Sequence, residues 1–421
     1  AGAPQNEPHA LHGKCLMRFL PFDHAVRNLG RSPSRLAGML IGAALVVLLL
    51  LAAGGFVRGM EKSLAGSAQA DNVIILGAGS EESVERSEIS QSVAGQLMAS
   101  VPGIRQRLGV AYVSPEIHMA TLVHTDRPPG RSPAFPVIND GVEAPAARPL
   151  QAVLRGVTSA AFLVHPQVRI TEGRAPHDGH DELLVGELAA ARLGVEPARL
   201  AVGRTLWFDE RPWQIVGRFA APGTVQHAEI WLPLNNLLIA NKRQTVSCVV
   251  LTLDDAEFAD VDAFCKQRLD LELVAVRESD YYAKLSRFYT PIRIMVWMTA
   301  GLIALGGLLG GLTTTYGAFV ARIRELATLQ TLGFSRSALV VSLIQESVLI
   351  TSTGALVASA VALLLLGGVS VRFSMGAFAL VIDAPVLAAG LGVGLLLGCL
   401  GALPPAWRCL RVPIKDALYT A

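Results

Sequence analysis

The sequence predicts a membrane protein with four transmembrane α-helices and a large α+β extracytoplasmic domain inserted between the first and second spans. Three observations predict this fold class. Four apolar runs are each about as long as a helix that crosses a bilayer, the chain between the first two runs is polar, and basic residues collect beside only some of the runs. Of the 421 residues 52% are hydrophobic and 17% are charged, and the mean hydropathy is +0.45, which is high for a soluble protein.

The length of the apolar runs identifies the spans. A hydrocarbon core about 30 Å thick is crossed by roughly 20 apolar residues in helical form. The runs that meet this requirement are residues 36–56, 291–320, 339–369 and 385–404. We expect Pro404-Pro405 to end the fourth span, because proline lacks the N–H that continues a helix. The first run is longer and more apolar than the core of a cleaved signal, so we interpret it as a retained span.

The placement of basic residues predicts the orientation of the spans, since lysine and arginine beside a span favour the cytoplasmic side. Three flanks are basic, and their residues are Lys14, Arg18, Arg27, Arg31 and Arg35, then Arg322, Arg324 and Arg336, then Arg408, Arg411 and Lys415. The connection between the third and fourth spans carries only Arg372, balanced by Asp383. We therefore expect both termini in the cytoplasm.

These features divide the chain into segments of predicted location. In chain order they are a cytoplasmic N-terminal segment (1–35), a span (36–56), the extracytoplasmic domain (57–290), a span (291–320), a cytoplasmic coupling helix (321–338), a span (339–369), an extracytoplasmic loop (370–384), a span (385–404) and a cytoplasmic tail (405–421). In the first segment Phe19, Phe22, Val26 and Leu29 recur at helical spacing. This amphipathic helix suits the membrane surface, and a docking surface for another protein fits the pattern equally well.

The extracytoplasmic domain is predicted to mix helices and strands in two lobes on a stalk. One strand–helix–strand unit lies near its beginning (72–123) and another near its end (246–276), and we expect the two to pair into one lobe. Residues 126–150 between them are rich in proline and are interpreted as a long loop. Residues 279–290 are expected to form a stalk helix that leads into the second span.

Short strands are expected to dominate residues 151–239. They include a hairpin of residues 205–209 and 213–219, for which the proline-containing segment 210–212 has suitable turn chemistry.

The sequence shows no pattern typical of catalysis, metal binding or nucleic-acid binding. The net charge of +2 is too small for a phosphate-binding surface, and no G-x-S-x-G nucleophile elbow occurs. The five cysteines form neither a CxxC pair nor a Cys/His cluster of zinc spacing. His177-x-x-His180 fits a solvated polar turn better than a metal site. Cys248 and Cys265 can form a disulfide in an oxidising compartment or remain two buried thiols. We predict no catalytic residue, no metal and no nucleic-acid partner.

An active transporter needs an energy source, and these residues contain none that is typical. No G-x-x-x-x-G-K-[ST] loop is present to bind nucleotide phosphates. Ion-coupled transporters carry ionisable residues at mid-membrane within repeated halves, whereas these spans hold a single acidic residue, Glu346, and no inverted repeat. Either the chain does not transport actively, or its ATPase is a separate polypeptide.

The segment ARIRELATLQTLGFSRSALVVSLIQESVLI (321–350) combines R-x-R-E, an apolar helix, a Gly-Phe-Ser turn, a basic residue and a span with glutamate. It resembles the cytoplasmic connection of the MacB/FtsX-type ABC transporter permease family. The matching positions are Arg322, Arg324, Glu325, Leu329, Gly333, Phe334, Ser335, Arg336 and Glu346. Residues 154–174 and 182–219 resemble the outer-domain signatures of this family, with Gly156, Gly173, Arg174, Gly186, Gly203 and Gly217 in place. The order of one span, a large domain and three spans is also that of the family.

The resemblance implies a split-gene permease without a fused ATPase, similar to macrolide-exporter and lipoprotein-release permeases. Such a subunit couples ATP hydrolysis by a separate ABC ATPase to movements of its periplasmic domain (mechanotransmission), and drives export or extraction of a lipoprotein, peptide or hydrophobic small molecule. It implies a non-catalytic chain in the bacterial inner membrane with no cofactor of its own, since the ATPase binds ATP and Mg. The implied partners are a second permease in a homodimer or heterodimer, a periplasmic adaptor and membrane lipid. The alternative is a non-transporting regulator that activates an envelope hydrolase.

The resemblance also assigns contact with the ATPase to the matching residues 322–336. Leu326, Leu329 and Leu332 form an apolar ridge that can enter a groove on a partner; the alternative is a plain loop whose arginines only fix topology. In the second span Gly306, Gly307, Gly310 and Gly311 form a small-residue face. Dimerisation through this face and packing against the first span of the same chain are both compatible with the sequence.

Overall fold

The structure is a computed structural model that describes residues 33–126, 149–373, 376–411 and 413. Its helices are α1 (Pro33–Ser67), α2 (Val93–Ser100), α3 (Ala161–Val164), α4 (Ala189–Leu193), α5 (Leu234–Ala240), α6 (Phe258–Gln267), α7 (Glu278–Phe288), α8 (Thr290–Val320), α9 (Ile323–Thr331), α10 (Arg336–Val361) and α11 (Ala384–Leu410). The amphipathic helix predicted around residues 19–29, and residues 127–148 of the proline-rich stretch, lie outside the described residues.

The strands of the described residues alternate with short helices along the middle of the chain. They are β1 (Asn72–Gly77), β2 (Ile89–Ser90), β3 (Gln106–Arg107), β4 (Val110–Ala111), β5 (Val113–Val123), β6 (Leu150–Val157), β7 (Arg169–Gly173), β8 (Glu182–Gly186), β9 (Thr205–Phe208), β10 (Arg211–Ala220), β11 (Ile230–Pro233), β12 (Thr245–Val246), β13 (Cys248–Thr252), β14 (Leu273–Arg277), β15 (Ser370–Phe373) and β16 (Gly376–Ala379).

Four helices among the described residues are long and apolar enough to cross a membrane, as the sequence predicts. They are Leu36–Ser67, Thr290–Val320, Arg336–Leu366 and Ala384–Leu410. The last helix corrects one expectation, because it runs through Pro404-Pro405 instead of ending there. The two prolines remove two backbone hydrogen bonds, but Ala402 before them and Ala406 and Leu410 beyond them are buried in one apolar cluster. This packing offsets the loss and keeps the last turns helical.

The α+β domain is built on one ten-stranded sheet with the strand order β14-β1-β13-β5-β6-β11-β8-β10-β7, and β9 pairs with β10. The neighbours β6/β11 and β8/β10 are parallel, and the other pairs of this path are antiparallel. The strands near both ends of the domain pair as the sequence predicts, since β1 lies between β13 and β14. β5 joins the two parts of this sheet, because it pairs with β13 through its first half and with β6 through its second. The division into two lobes stays a prediction.

Two connections differ from their predicted form. The hairpin β9/β10 turns at Asp209-Glu210, which both have positive φ (49° and 61°), and Pro212 lies inside β10 opposite Trp207. Two residues of positive φ are typical of the tight turn that matches strand twist. The predicted loop 370–384 forms the antiparallel pair β15/β16. Arg372 of β15 donates through Nε to the carbonyl of Ala191, at 2.7 Å, so the pair packs on the α+β domain.

The described part of the chain divides into two compact units, one drawn from the ranges 1–54, 297–365 and 382–421, the other from 55–296 and 366–381. The core of the second unit lies along the sheet, where Trp213, Ile215, Ile117 and Val249 are completely buried. Cys248 in β13 and Cys265 in α6 are buried free thiols.

Candidate functional site

The short helix α9 joins two of the long helices, and its inner face packs on the first unit's own core. Leu326 is 4% exposed and belongs to an apolar cluster with Phe319 of α8, Leu339 of α10 and Ala406 of α11. The predicted ridge is therefore split, because Leu326 faces this cluster and the neighbouring Leu329 is half-buried beside it, whereas Leu332 is 65% exposed. A pattern of leucines gives an apolar face but does not say whether a partner or the chain itself covers it.

The outer face of α9 carries the exposed side chains. Arg324, Glu325, Thr328, Thr331 and Leu332 are exposed, and their spacing of one, three, three and one places them along one side of a helix. Four of these five are polar or charged. A partner that binds α9 must contact this face, because the opposite face packs on the apolar cluster of the same unit.

Arg322 ties the start of α9 to the third long helix. Its Nη1 donates to both carboxylate oxygens of Glu346, at 3.0 and 3.2 Å, and its Nε lies 3.5 Å from Glu325 Oε2. The structure thus brings together three of the predicted residues, Arg322, Glu325 and Glu346, and Arg322 is the ion-pair partner of Glu346. A half-buried ion pair with two short contacts holds its side chains more firmly than an exposed pair does.

Three more of the predicted residues, Gly333, Phe334 and Ser335, have local structural roles in the turn after α9. Gly333 has a φ of 94°, the left-handed conformation that closes a helix. The Phe334 amide donates to the carbonyl of Leu329 at 3.2 Å, and the Phe334 side chain packs on the apolar cluster of α9. The Ser335 hydroxyl caps α10 by accepting from the Ala338 amide at 3.3 Å. Arg336 follows, exposed at the surface.

The glycines of α8 do not share one environment. A Cβ at Gly307 would lie 2.5 Å from Val46 Cγ2 of the first span, so this glycine permits close packing of the two helices of the same chain. Gly310 and Gly311 line a cleft of about 320 Å³ together with Gly38 and Gly42 of the first span. Gly306 is exposed, with open space around its α-carbon. The structure therefore assigns Gly307 to packing within the chain.

The α+β domain holds a buried charged cluster that sequence reasoning missed. The cluster consists of Glu116 and His118 of β5, Arg155 of β6, His165, Glu229 and Glu278. Arg155 binds Glu229 through Nε and Nη2 at 2.7 and 2.8 Å, and its Nη1 lies 2.9 Å from Glu116 Oε2. His165 Nε2 lies 3.0 Å from Glu116 Oε1.

Burial and charge oppose each other in this cluster. Burial alone would raise the pKa of Glu116, but the charges of His165 and Arg155 outweigh it and hold the pKa well below its usual range. Glu229 behaves in the same way, because the charge of Arg155 lowers its pKa against the effect of burial. For Glu278 burial prevails and raises the pKa. The carboxylates beside Arg155 are therefore held in their ionised form.

Strand register explains why the cluster forms. His118 lies directly opposite Arg155 across the β5/β6 pair, and Glu116 lies directly opposite Cys248 across β5/β13. Because side chains alternate along a strand, Glu116 and His118, two residues apart, point to the same face. Opposite residues of neighbouring strands do so too. In the sequence, the cluster shows only as charged residues that interrupt the apolar pattern of the strands. This signal does not tell which strands pair with each other.

The other polar features behave as the sequence suggested. His177 Nδ1 lies 2.7 Å from Arg174 Nη1, and His180 Nδ1 lies 3.3 Å from the carbonyl of Asp178. Both histidines are exposed, in agreement with a solvated turn. Arg174 forms a bidentate pair with Glu182, at 2.6 Å for both contacts. Gly173 has a φ of 75°, and a Cβ there would collide with the Val216 carbonyl, so this signature glycine serves the fold.

Four membrane-capable helices and an α+β domain define a multi-pass membrane protein of the permease class. Residues 36–264 match the family model of the MacB-like periplasmic core domain, and residues 297–414 match that of the FtsX-like permease C-terminal domain. The first match alone covers more than half of the chain. The chain therefore belongs to the MacB/FtsX-type ABC permease family, whose members generally work with a separate ABC ATPase.

Two solved structures match part of this chain. The periplasmic region of MacB from Actinobacillus actinomycetemcomitans is 12% identical at a TM-score of 0.35, covering 52% of this chain and 94% of that one. The extracellular domain of the noncanonic ABC-type transporter YknZ from Gram-positive bacteria is 13% identical at a TM-score of 0.33, covering 49% and 99%. No curated protein sequence matches the chain significantly.

Proposed function

We propose that this chain is the permease subunit of an ABC transporter that couples ATP hydrolysis by a separate ATPase to movement of its α+β domain. The movement drives export or extraction of an envelope substrate such as a lipoprotein, peptide or hydrophobic small molecule. In this proposal the α+β domain lies outside the bacterial inner membrane between the first and second spans, and both termini lie in the cytoplasm. A second permease chain and a periplasmic adaptor complete the assembly.

The attachment of α9 to the long helices is the observation that supports this proposal most. Its apolar side shares one cluster with α8, α10 and α11, and Arg322 at its start is bonded to Glu346 of α10. A force on α9 is therefore passed to three long helices through buried contacts, which resist displacement because interiors are densely packed. This is the arrangement that a mechanical input from a partner requires.

The motifs of the sequence indicate which subunit binds the nucleotide. The 421 residues contain no phosphate-binding loop of the G-x-x-x-x-G-K-[ST] type. We infer that the partner ATPase binds ATP and Mg, and that this subunit performs no catalysis. The exposed face of α9 offers Arg324 and Glu325 for charged contacts and Leu332 for an apolar one.

The proposal is tested on the full chain, reconstituted in lipid nanodiscs with the ABC ATPase that co-purifies with it. Arg324→Ala and Leu332→Ser should weaken co-purification and lower the permease-stimulated ATPase rate, because both change the exposed face of α9. Their thermal stability should stay unchanged, since neither side chain is buried. Arg211→Ala, which removes an exposed arginine of β10, is the matched control. Normal stimulation in both α9 variants would refute the coupling role of this face.

A further inference from the structure

We propose that Glu116, His118 and Cys248 bind a divalent transition-metal ion, with zinc the ion that suits them best. A carboxylate oxygen, an imidazole nitrogen and a thiol sulfur of these residues all lie within 4.8 Å of one another. The sequence alone does not indicate this site, because 130 residues separate His118 from Cys248 and the usual short ligand spacings are absent.

The backbone brings Glu116 close to each of the other two ligands. Cys248 lies directly opposite Glu116 across the β5/β13 pair. His118 follows Glu116 by two residues and points to the same face of the sheet. Zinc bonds of about 2.0–2.3 Å in tetrahedral geometry separate ligand atoms by roughly 3.5 Å. His118 Nε2 lies 3.2 Å from Glu116 Oε2, close to that separation.

The three donor types are those that zinc accepts, since it takes sulfur, nitrogen and oxygen ligands in one site. A cavity of about 50 Å³ adjoins His118 and Cys248, and Glu229 and Glu278 also line it. This volume is enough for water, which supplies the fourth ligand. Three protein ligands and one water leave one coordination position of the zinc exchangeable, unlike four protein ligands in a structural site.

Arg155 shares its charge between Glu229 and Glu116. Its bidentate partner is Glu229, and its third contact, at 2.9 Å to Glu116 Oε2, holds the carboxylate in place from behind. Hydrogen bonds of this kind orient metal ligands and strengthen binding. On binding, the S–H bond of Cys248 breaks, a metal–sulfur bond forms, and the proton leaves to solvent. The ion with one carboxylate and one thiolate is then neutral.

The test uses the full chain in detergent, stripped with a chelator, in a background that keeps Cys248 and Cys265 as its only cysteines. Co²⁺ is titrated first, because a cobalt–thiolate bond gives a charge-transfer absorbance in the near ultraviolet. Zn²⁺ affinity is then measured by competition with a chromophoric chelator. The chain should bind one equivalent with the thiolate absorbance, and Cys265→Ala, the matched control, should do the same.

Cys248→Ala should abolish the cobalt–thiolate absorbance and weaken Zn²⁺ binding by about 100-fold or more. His118→Ala should weaken it to a similar degree, and this half-buried position provides a second variant if Cys248→Ala does not fold, as judged by its thermal transition. Absence of the absorbance in the parent chain would overturn the proposal. Equal Zn²⁺ affinity in His118→Ala and the parent would overturn it too, since binding would then be at surface histidines.

Discussion

Replacing Arg155 with methionine should be among the most destabilising single changes in the α+β domain. The Arg155 side chain is 3% exposed and makes three charged hydrogen bonds of 2.7–2.9 Å to Glu229 and Glu116. Methionine fills similar space but leaves Glu229 buried without its bidentate cation, and leaves Glu116 with only the imidazoles of His165 and His118 beside it. Removing one partner of a buried pair costs about 3–5 kcal/mol. For a domain of this size that corresponds to a fall in melting temperature of about 6–20 °C.

The size of this effect should depend on pH. In the parent chain the pKa of both carboxyl groups is lowered, so their contribution to stability is present above the usual carboxyl pKa and is lost as the pH falls below it. In Arg155→Met burial is no longer opposed by the arginine and favours the protonated carboxyl. The difference between variant and parent should therefore be largest at neutral pH and should shrink as the pH falls below about 5.

The measurement is thermal unfolding of the full chain in detergent, followed by tryptophan fluorescence, with EDTA present so that metal does not contribute. Trp231 reports on the cluster, because its Nε1 donates to Glu229 at 2.9 Å. Arg174→Met is the matched control: this arginine also binds a carboxylate in bidentate fashion, but its side chain is 48% exposed, so a much smaller loss of stability is expected. Equal shifts in melting temperature for the two variants would refute the assignment of stability to buried charge.

Three further predictions concern other parts of the molecule. Leu326→Ala should lower stability by about 2–5 kcal/mol, since the side chain is buried in the cluster of α9; a shift in melting temperature below that of an exposed substitution would contradict this. The Arg174 contact lowers the pKa of Glu182 to about 2, so its contribution to stability is present above pH 4.5 and lost towards pH 2. Glu182→Gln should reduce that acid dependence by about 1 kcal/mol in melting curves. Single cysteines at the exposed positions Ser100 and Ser337, in a chain without native cysteines, should differ on intact cells. An impermeant thiol reagent should label the first, and the second only after lysis; the reverse would refute the proposed orientation.

The sequence predicts the spans well because the property that defines a span is local. Hydrocarbon thickness sets the length of an apolar run, and no distant residue is needed to recognise it. The sequence also predicts that the strand–helix–strand units at the two ends of the domain pair, and they do so through β1 with β13 and β14. Pro404-Pro405 shows the limit of local reasoning. The rule that proline ends a helix predicts that the fourth span stops there. In the structure the helix continues, because residues on both sides of the prolines are buried in one cluster.

The buried charged cluster could not be predicted, because its members meet through strand register. Glu116 and Cys248 are 132 residues apart, and only the pairing of β5 with β13 makes them neighbours. A shift of register by one residue would turn every side chain of a strand to the other face. A sequence pattern gives the alternation of faces but not the partner strand, so the charges of this cluster resemble isolated interruptions until the sheet is assembled.

The packing of α9 limits the chemistry of its proposed contact with an ATPase. Leu326 is committed to the core of the unit, so an apolar ridge of three leucines is not available to a partner groove. What remains exposed is a face with Arg324, Glu325 and two threonines, and Leu332 at one end. Contacts between exposed charges weaken with salt, because ions screen them, whereas burial of one leucine does not. Raising the salt concentration should therefore weaken association of the parent chain with the ATPase, and Arg324→Ala should lose most of this salt dependence. Salt-independent binding in the parent would mean that the partner does not use the charged residues of this face.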